Sequence, residues 1–295
     1  MSVKISILVP AFNHGQFIKD LLDSLQNLHH KEYEVIVVDD GSNDRTLEIL
    51  SELLPKYTFS WRLYTQENHG VAYTINYLVS LAKYDWISLV ASDDVLLPER
   101  FDRQVQMILQ NPRLVACYGD GLAWNGRVTS GLVHSRELSE LLASNDVARV
   151  LRHITTRVPA FFVQGLLLKR NVYNSIGGLD FEMVADDWIL NIKIFNNIKE
   201  TAAEYWYDTS PVFLYRLHPT NAHKNFKRQM TLIDQVVHRY IPENHRYLFA
   251  KWYLRFAIDS LVNQYTKGIQ IVVRYFTTTA IGSAFQAVFR QKKAK

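Results

Sequence analysis

Through its first hundred residues the chain alternates continuous apolar runs with segments of helical spacing, and that alternation restricts the fold more than any other feature. Residues 5–9 form a run of the kind a strand shows when both its faces are buried. Phe17, Leu21, Leu22, Leu25 and Leu28 then fall on one helical stripe. A second apolar run, residues 33–38, ends in Asp39-Asp40-Gly41-Ser42-Asn43-Asp44, a turn cluster that also offers caps for a helix starting near Thr46. Residues 59–64 read as a third strand, 71–82 as a helix and 86–91 as a fourth strand, and Pro98 suits the first turn of the next helix. Strands alternating with helices imply an α/β fold, a mostly parallel central sheet with right-handed crossovers. Ligands of such sheets lie off the carboxyl ends of the strands.

Residues 114–220 are less regular: 161–169 read as a strand, 187–197 as a helix and 212–217 as another strand. From about residue 225 the pattern is helical and rich in Tyr, Phe and basic residues. The 295 residues allow one extended α/β domain or two smaller ones. A net charge of +4, much of it in Arg290, Lys292, Lys293 and Lys295, is too slight for a dedicated nucleic-acid binder and reads as a solvated basic end. The single cysteine, Cys117, has no partner for a disulfide or a Cys-based zinc site, and its apolar neighbours make it a buried, inert thiol of a reducing compartment. The first ten residues read as a strand rather than a signal-peptide core, and no stretch of about 18 apolar residues predicts a membrane span.

Two familiar phosphate-binding patterns are missing. Neither Gly-x-Gly-x-x-Gly nor Gly-x-x-x-x-Gly-Lys-Ser/Thr occurs, which disfavours a dinucleotide-dependent dehydrogenase and a P-loop NTPase. Instead, two carboxylate pairs, Asp39-Asp40 and Asp93-Asp94, follow strands two and four. Like charges this close are costly without a cation or donors to balance them. Each pair alone reads as turn and capping residues; both at one sheet edge point to hard oxygen ligands for Mg²⁺ or Mn²⁺ beside a diphosphate.

In order along residues 3–220, the chain resembles the inverting glycosyltransferases of family 2, which have the GT-A fold. The resemblance is carried by Val9-Pro10-Ala11-Phe12-Asn13, by Val38-Asp39-Asp40-Gly41-Ser42-Asn43-Asp44-Arg45-Thr46, and by Glu67-Asn68-His69-Gly70 followed by Asn76. Ser92-Asp93-Asp94, Gly177-Gly178-Leu179-Asp180 with Asp186-Asp187-Trp188, and Tyr215-Arg216-Leu217-His218 complete it. Two positions depart from the family pattern: Asp186 stands where relatives have Glu, and Ala91 where many have another acid.

The resemblance implies a Rossmann-like GT-A sheet flanked by helices, with a helical C-terminal extension. Residues 1–220 would form the catalytic domain, 1–100 holding the nucleotide-sugar and 101–220 the acceptor, and 221–295 the extension. Pro10, Phe12 and Asn13 would line the base pocket, Asp40 would accept hydrogen bonds from the base, and Asp39 would shape the pocket. Asn68, Gly70 and Arg216 would also contact the donor. Asp93 would face the ribose or the metal shell, Asp94 would ligate the metal, and His218 would add a ligand or a donor to the diphosphate. Asp187 would be the general base with Asp186 beside it, both at a helix start where carboxylates are favoured. The implied activity is a metal-dependent, hexosyltransferase-type transfer, with Mn²⁺ or Mg²⁺, from a nucleotide-diphosphate sugar, a UDP-sugar first, to a glycan or polyprenyl-diphosphate-linked acceptor. Surface polysaccharide or lipopolysaccharide synthesis is the implied setting. The alternatives are a sugar nucleotidyltransferase and a non-catalytic nucleotide-sugar-binding protein of the same fold. Residues 268–295, apolar with flanking Lys267, Arg274 and Arg290, read equally as a peripheral contact with the inner face of the cell membrane and as a helix packed on the core.

Overall fold

The computed structural model describes residues 2–183, 187–219, 221 and 225–277. The chain divides into two compact units, residues 1–150 with 160–219 and residues 151–159 with 220–295.

The first unit is built on one sheet. Its strands are β1 (Ile5–Ala11), β2 (Tyr33–Asp40), β3 (Ser60–Gln66), β4 (Trp86–Leu89), β5 (Val95–Leu96), β6 (Leu114–Trp124), β7 (Thr129–Leu132), β8 (Leu167–Lys169) and β9 (Glu204–Arg216). They lie in the order β3-β2-β1-β4-β8-β6-β9-β5, with β7 on β6. The half formed by β3, β2, β1 and β4 is parallel, whereas β8 joins its neighbours antiparallel and β6 pairs β9 in parallel. Helices α1 (Gly15–Gln26), α2 (Thr46–Leu53) and α3 (Val71–Leu81) make the crossovers of the parallel half. Every residue of β2 is buried, because helices cover both of its faces. The register sets Ala11 level with Asp39 and Asp39 level with Thr65, so the carboxyl ends of these strands finish at one edge.

Several elements differ from their sequence-based expectations. The expected strand 161–169 shrinks to β8. Arg100, fully buried, donates to the carbonyls of Gln164 and Leu166, and Gly165 packs against the backbone of Gly119, which leaves 163–166 as a turn. Burial of that guanidinium lowers its pKa to about 9. The strand expected at 212–217 begins at Glu204, and register shifts in the β6–β9 ladder around Asp120 carry it past Pro211, which has no N–H to pair. Pro98 lies in a turn ahead of α4 (Asp102–Gln110) rather than inside its first turn. After α5 (Arg136–Ala143), α6 (Val147–Thr156) and α7 (Arg170–Ser175), the helix expected over 187–197 is α8 (Asp187–Thr201). Cys117 is buried in the middle of β6, and burial pushes its thiol up to about 12.

One loop is locked by side chains distant in sequence. Asn76 of α3 accepts from Leu179 N (3.0 Å) and the Tyr173 hydroxyl (2.7 Å), and donates to Leu179 O (2.7 Å). Gly178, at φ +61°, leaves room for that amide: a Cβ there would stand 2.4 Å from Asn76 Oδ1.

The second unit contains α9 (Phe226–Arg239), a 3-10 segment (Glu243–Phe249), α10 (Ala250–Val262) and α11 (Thr266–Tyr275). Tyr253 of α10 stacks on Tyr275 of α11 at 3.6 Å and donates to Asp234 of α9, which also pairs with Arg274. Ile271 and Tyr275 are thereby buried, so α11 packs within its unit. Residues 278–295, the rest of the expected membrane-contacting segment, lie outside the described residues. No helix among the described residues is long and apolar enough to cross a membrane.

Gly178→Ala should lower the unfolding free energy by at least about 1–2 kcal/mol, the cost of a left-handed alanine before any displacement of Asn76 is added. Urea denaturation measures it, and native stability in the variant would contradict the locked loop.

Candidate functional site

The site begins where β2 ends. Asp40 is buried and accepts from Gln66 Nε2 (2.7 Å) and His69 N (2.9 Å) on one oxygen and from Gly70 N (2.9 Å) on the other. Gly41, at φ +69°, sits so close to this loop that a Cβ would meet Asn68 N at 2.8 Å. Asp40, expected to read a base, thus anchors the 67–70 loop. Asp39 is equally buried, but only its Oδ2 is engaged, by Ser42 N at 3.1 Å; its Oδ1 has no partner. The open acceptor at this strand end therefore belongs to Asp39, to which only a pocket-shaping role was expected.

The loop after β1 is laced to the same turn. Asn13, with φ 54°, donates its amide to Ser42 Oγ (2.9 Å) and accepts from Asn43 N (2.8 Å). Phe12 and Asn13 are exposed, as is Asn68, while Pro10 is half-buried at the end of β1. His14 precedes α1, its amide donated to Thr46 Oγ1 at 2.8 Å.

The acidic turn after β4 and the end of β9 meet beside His14. Asp93 Oδ2 lies 2.8 Å from His218 Nε2 and 3.9 Å from His14 Nε2, and His14 Nδ1 lies 2.7 Å from Ser92 Oγ. One ligand atom from each of His14, Asp93 and His218 falls within 4.8 Å of the others. The Phe17 ring packs on His218 at 4.8 Å. Burial lowers the His14 pKa, against the opposing pull of Asp93, so the imidazole favours its neutral, ligating form.

Arg216 fixes this turn. Its Nε donates to Asp93 O (2.7 Å), its backbone amide to Asp94 Oδ1 (2.9 Å), and its Nη2 to Asp20 (2.6 Å), while the guanidinium lies between Phe17 and Trp124. Arg216, for which a donor contact was expected, holds the acidic turn. Asp94, expected to ligate a metal, is buried beneath that turn and stands outside the three-residue group. Its Oδ2 has no partner, and burial together with the charge of Asp93 raises its pKa well above the usual carboxylate range. A divalent cation fits the group chemically: two imidazoles and one carboxylate, mutually in reach, suit such an ion.

Asp187 occupies the first turn of α8, while Asp186 lies outside the described residues. Lys193 of α8 donates to Gly178 O (2.7 Å) and pairs with Asp180 (3.2 Å), tying this helix to the loop that Asn76 locks. His14 is the site residue that sequence reasoning missed. Its only signal was its place directly after the Pro10–Asn13 segment.

Asp40→Ala strands three donors in one step, at about 1–3 kcal/mol for each that stays buried and unpaired. The variant should lose stability in urea denaturation and exchange the amides of His69 and Gly70 faster. Unchanged exchange at those two amides would contradict the anchoring role.

Comparison with known proteins agrees with this architecture. The sequence description of glycosyl transferase family 2 matches residues 6–160. The poly-beta-1,6-N-acetyl-D-glucosamine synthase of Staphylococcus epidermidis is 24% identical over 190 residues, 64% of this chain and 45% of that protein. The chain thus spans about half the length of the curated relatives it matches. S. aureus TarS 1–349 in complex with UDP-GlcNAc aligns with a TM-score of 0.61 at 18% identity, over 84% of this chain and 71% of that one. The mannosyltransferase PcManGT from Pyrobaculum calidifontis, in complex with GDP-Man and Mn²⁺, aligns with a TM-score of 0.60 at 16% identity, over 100% of this chain and 81% of that one. These likenesses bear on the fold, which is GT-A: a curled mixed sheet flanked by helices. With the family match covering more than half of its length on such a sheet, the chain belongs to glycosyl transferase family 2.

Proposed function

We propose that the chain is an inverting glycosyltransferase that moves one sugar from a UDP-sugar to a glycan or lipid-linked saccharide acceptor in surface polysaccharide synthesis. One observation carries this reading: the His14, Asp93 and His218 group stands at the same carboxyl edge as the unpartnered, buried Asp39 Oδ1. Their strands, β4 and β2, flank β1 and so run about 10 Å apart, two strand spacings. That separation suits a nucleotide whose base is read at one end and whose diphosphate is held at the other. The UDP-GlcNAc in TarS and the nucleotide sugars named for other solved relatives support a donor of this class.

In this reading Asp39 accepts the base N–H, because both oxygens of Asp40 are engaged by the protein. Phe12 and Pro10 cover the base, and Asn13 sets the loop that carries them. A divalent ion, Mn²⁺ or Mg²⁺, at Asp93 and His218 supplies positive charge to the leaving diphosphate when bound. Arg216 acts indirectly, by fixing the backbone of Asp93. Asp187 takes the acceptor hydroxyl's proton while the acceptor oxygen bonds to the anomeric carbon and the bond from that carbon to the diphosphate oxygen breaks. Attack opposite the leaving group inverts the anomeric configuration, and Asp186 supports its neighbour. Residues 1–220 form the catalytic domain and 221–295 its helical extension. On α10, exposed Leu254, Ile258 and Val262 beside Lys251 and Arg255 favour contact with the cytoplasmic face of a membrane, together with residues 268–295.

Asp187→Asn keeps the side chain's size but cannot accept the proton. The rate of UDP release with acceptor, kcat, should fall about 10²–10⁴-fold while donor affinity stays near its original value. Turnover close to that of the unaltered protein would place the base elsewhere, and a product retaining the donor's configuration by NMR would overturn the mechanism.

A further inference from the structure

We propose that His14 is a third protein ligand, so that His14, Asp93 and His218 bind a transition-metal cation before any nucleotide arrives, with Zn²⁺, Co²⁺ and Mn²⁺ preferred to Mg²⁺. The proposal deepens the metal assignment above and rests on the donor reading only for what the ion would face. A site with one protein carboxylate depends on substrate phosphates to complete its shell, which is the usual arrangement for Mg²⁺. Here three donors from three segments of the chain converge: the residue preceding α1, the turn after β4 and the stretch after β9.

The spacing is that of a ligand set. Two ligands about 2.1 Å from one ion, at right or tetrahedral angles, lie roughly 3.0–3.4 Å apart. The observed 2.8 Å and 3.9 Å separations from Asp93 Oδ2 bracket that interval and all three ligand atoms lie within 4.8 Å of one another, so binding an ion would draw the two imidazoles together. His14 is held for the task. Its backbone amide is tied to Thr46, its ring meets the edge of Phe17, and its Nδ1 is bonded to Ser92 Oγ, which leaves Nε2 facing Asp93. A hydrogen bond from the far ring nitrogen is the arrangement that fixes a ligating imidazole. Ser92 is therefore a positioning residue for His14, and it is fully buried where that bond is made. Two imidazoles shift preference from Mg²⁺ toward borderline cations, in the rising order Mn²⁺, Co²⁺, with Zn²⁺ also strong. A three-ligand set also leaves coordination positions open, which suits an ion that must receive diphosphate oxygens.

The test uses the full chain stripped with EDTA and titrated with Co²⁺ alone, read by visible d–d absorption and by calorimetry, with no nucleotide present. One equivalent should bind; Zn²⁺ and Mn²⁺ should displace it, and Mg²⁺ should not at about a hundredfold excess. His14→Ala and His14→Gln should each weaken Co²⁺ binding at least tenfold and change the absorption bands, and Ser92→Ala should weaken it by about tenfold. Circular dichroism confirms that the variants are folded, and two different replacements guard against one that fails. Equal Co²⁺ affinity with and without His14, or displacement by equimolar Mg²⁺, overturns the proposal. Binding that appears only once UDP is added also overturns it, yet leaves the transferase reading standing. Tight Co²⁺ binding with no UDP binding under any metal does the reverse.

Discussion

The placement of Arg216 is the constraint on which the rest of the site depends. A guanidinium at the end of the last strand reaches 123 residues back to the carbonyl of Asp93 and 196 residues back to Asp20. Its own amide takes one oxygen of Asp94. Its guanidinium carbon lies 4.9 Å from the Phe17 ring centre and 4.3 Å from that of Trp124, so it is desolvated without losing its partners. Three elements far apart in sequence are thereby set at fixed positions: the start of α1, the acidic turn and the end of β9. Arg216 adds to the bonds that hold the segments from which His14 and His218 reach Asp93, among them His14 N to Thr46 and the β6–β9 ladder. A lysine would carry the same charge but could not donate in the two directions that Nε and Nη2 take.

A second constraint lies within each acidic pair. Adjacent carboxylates at a sheet edge repel, and the fold offsets this with donors drawn from the surrounding loops and strand ends. Asp40 is absorbed by two loop amides and Gln66, and Asp94 by the amide of Arg216 with the remaining oxygen buried. Asp39 likewise keeps one oxygen on the amide of Ser42 and the other buried and unpartnered, and Asp93 meets two imidazoles.

The parallel half of the sheet was legible in the sequence because each strand is a short apolar run and each crossover a single helical stripe. β1, β2 and α3 fall within a residue or two of where periodicity puts them. The far half was not, because its strands are shaped by contacts remote in sequence. Arg100 draws away the carbonyls of residues 164 and 166 and shortens β8, and bulges carry β9 past Pro211. The acidic segments of the site were legible as motifs, but the hydrogen-bond partners within each pair were not. Which of Asp39 and Asp40 keeps a free oxygen depends on where the 67–70 loop sits, and which of Asp93 and Asp94 faces out depends on Arg216. His14 carried no motif at all, and only the fold brings it within reach of Asp93.

The central claim is that the strand edge holds a nucleotide diphosphate through a cation and a base through Asp39. Calorimetric titration of the EDTA-stripped chain with UDP, repeated at saturating Mn²⁺, tests it most directly. The account predicts UDP binding that tightens at least tenfold with Mn²⁺, equivalent to about 1.4 kcal/mol. It also predicts that the gain disappears in Asp93→Ala. UDP affinity that is the same with and without Mn²⁺, or no measurable UDP binding in either condition, would contradict it.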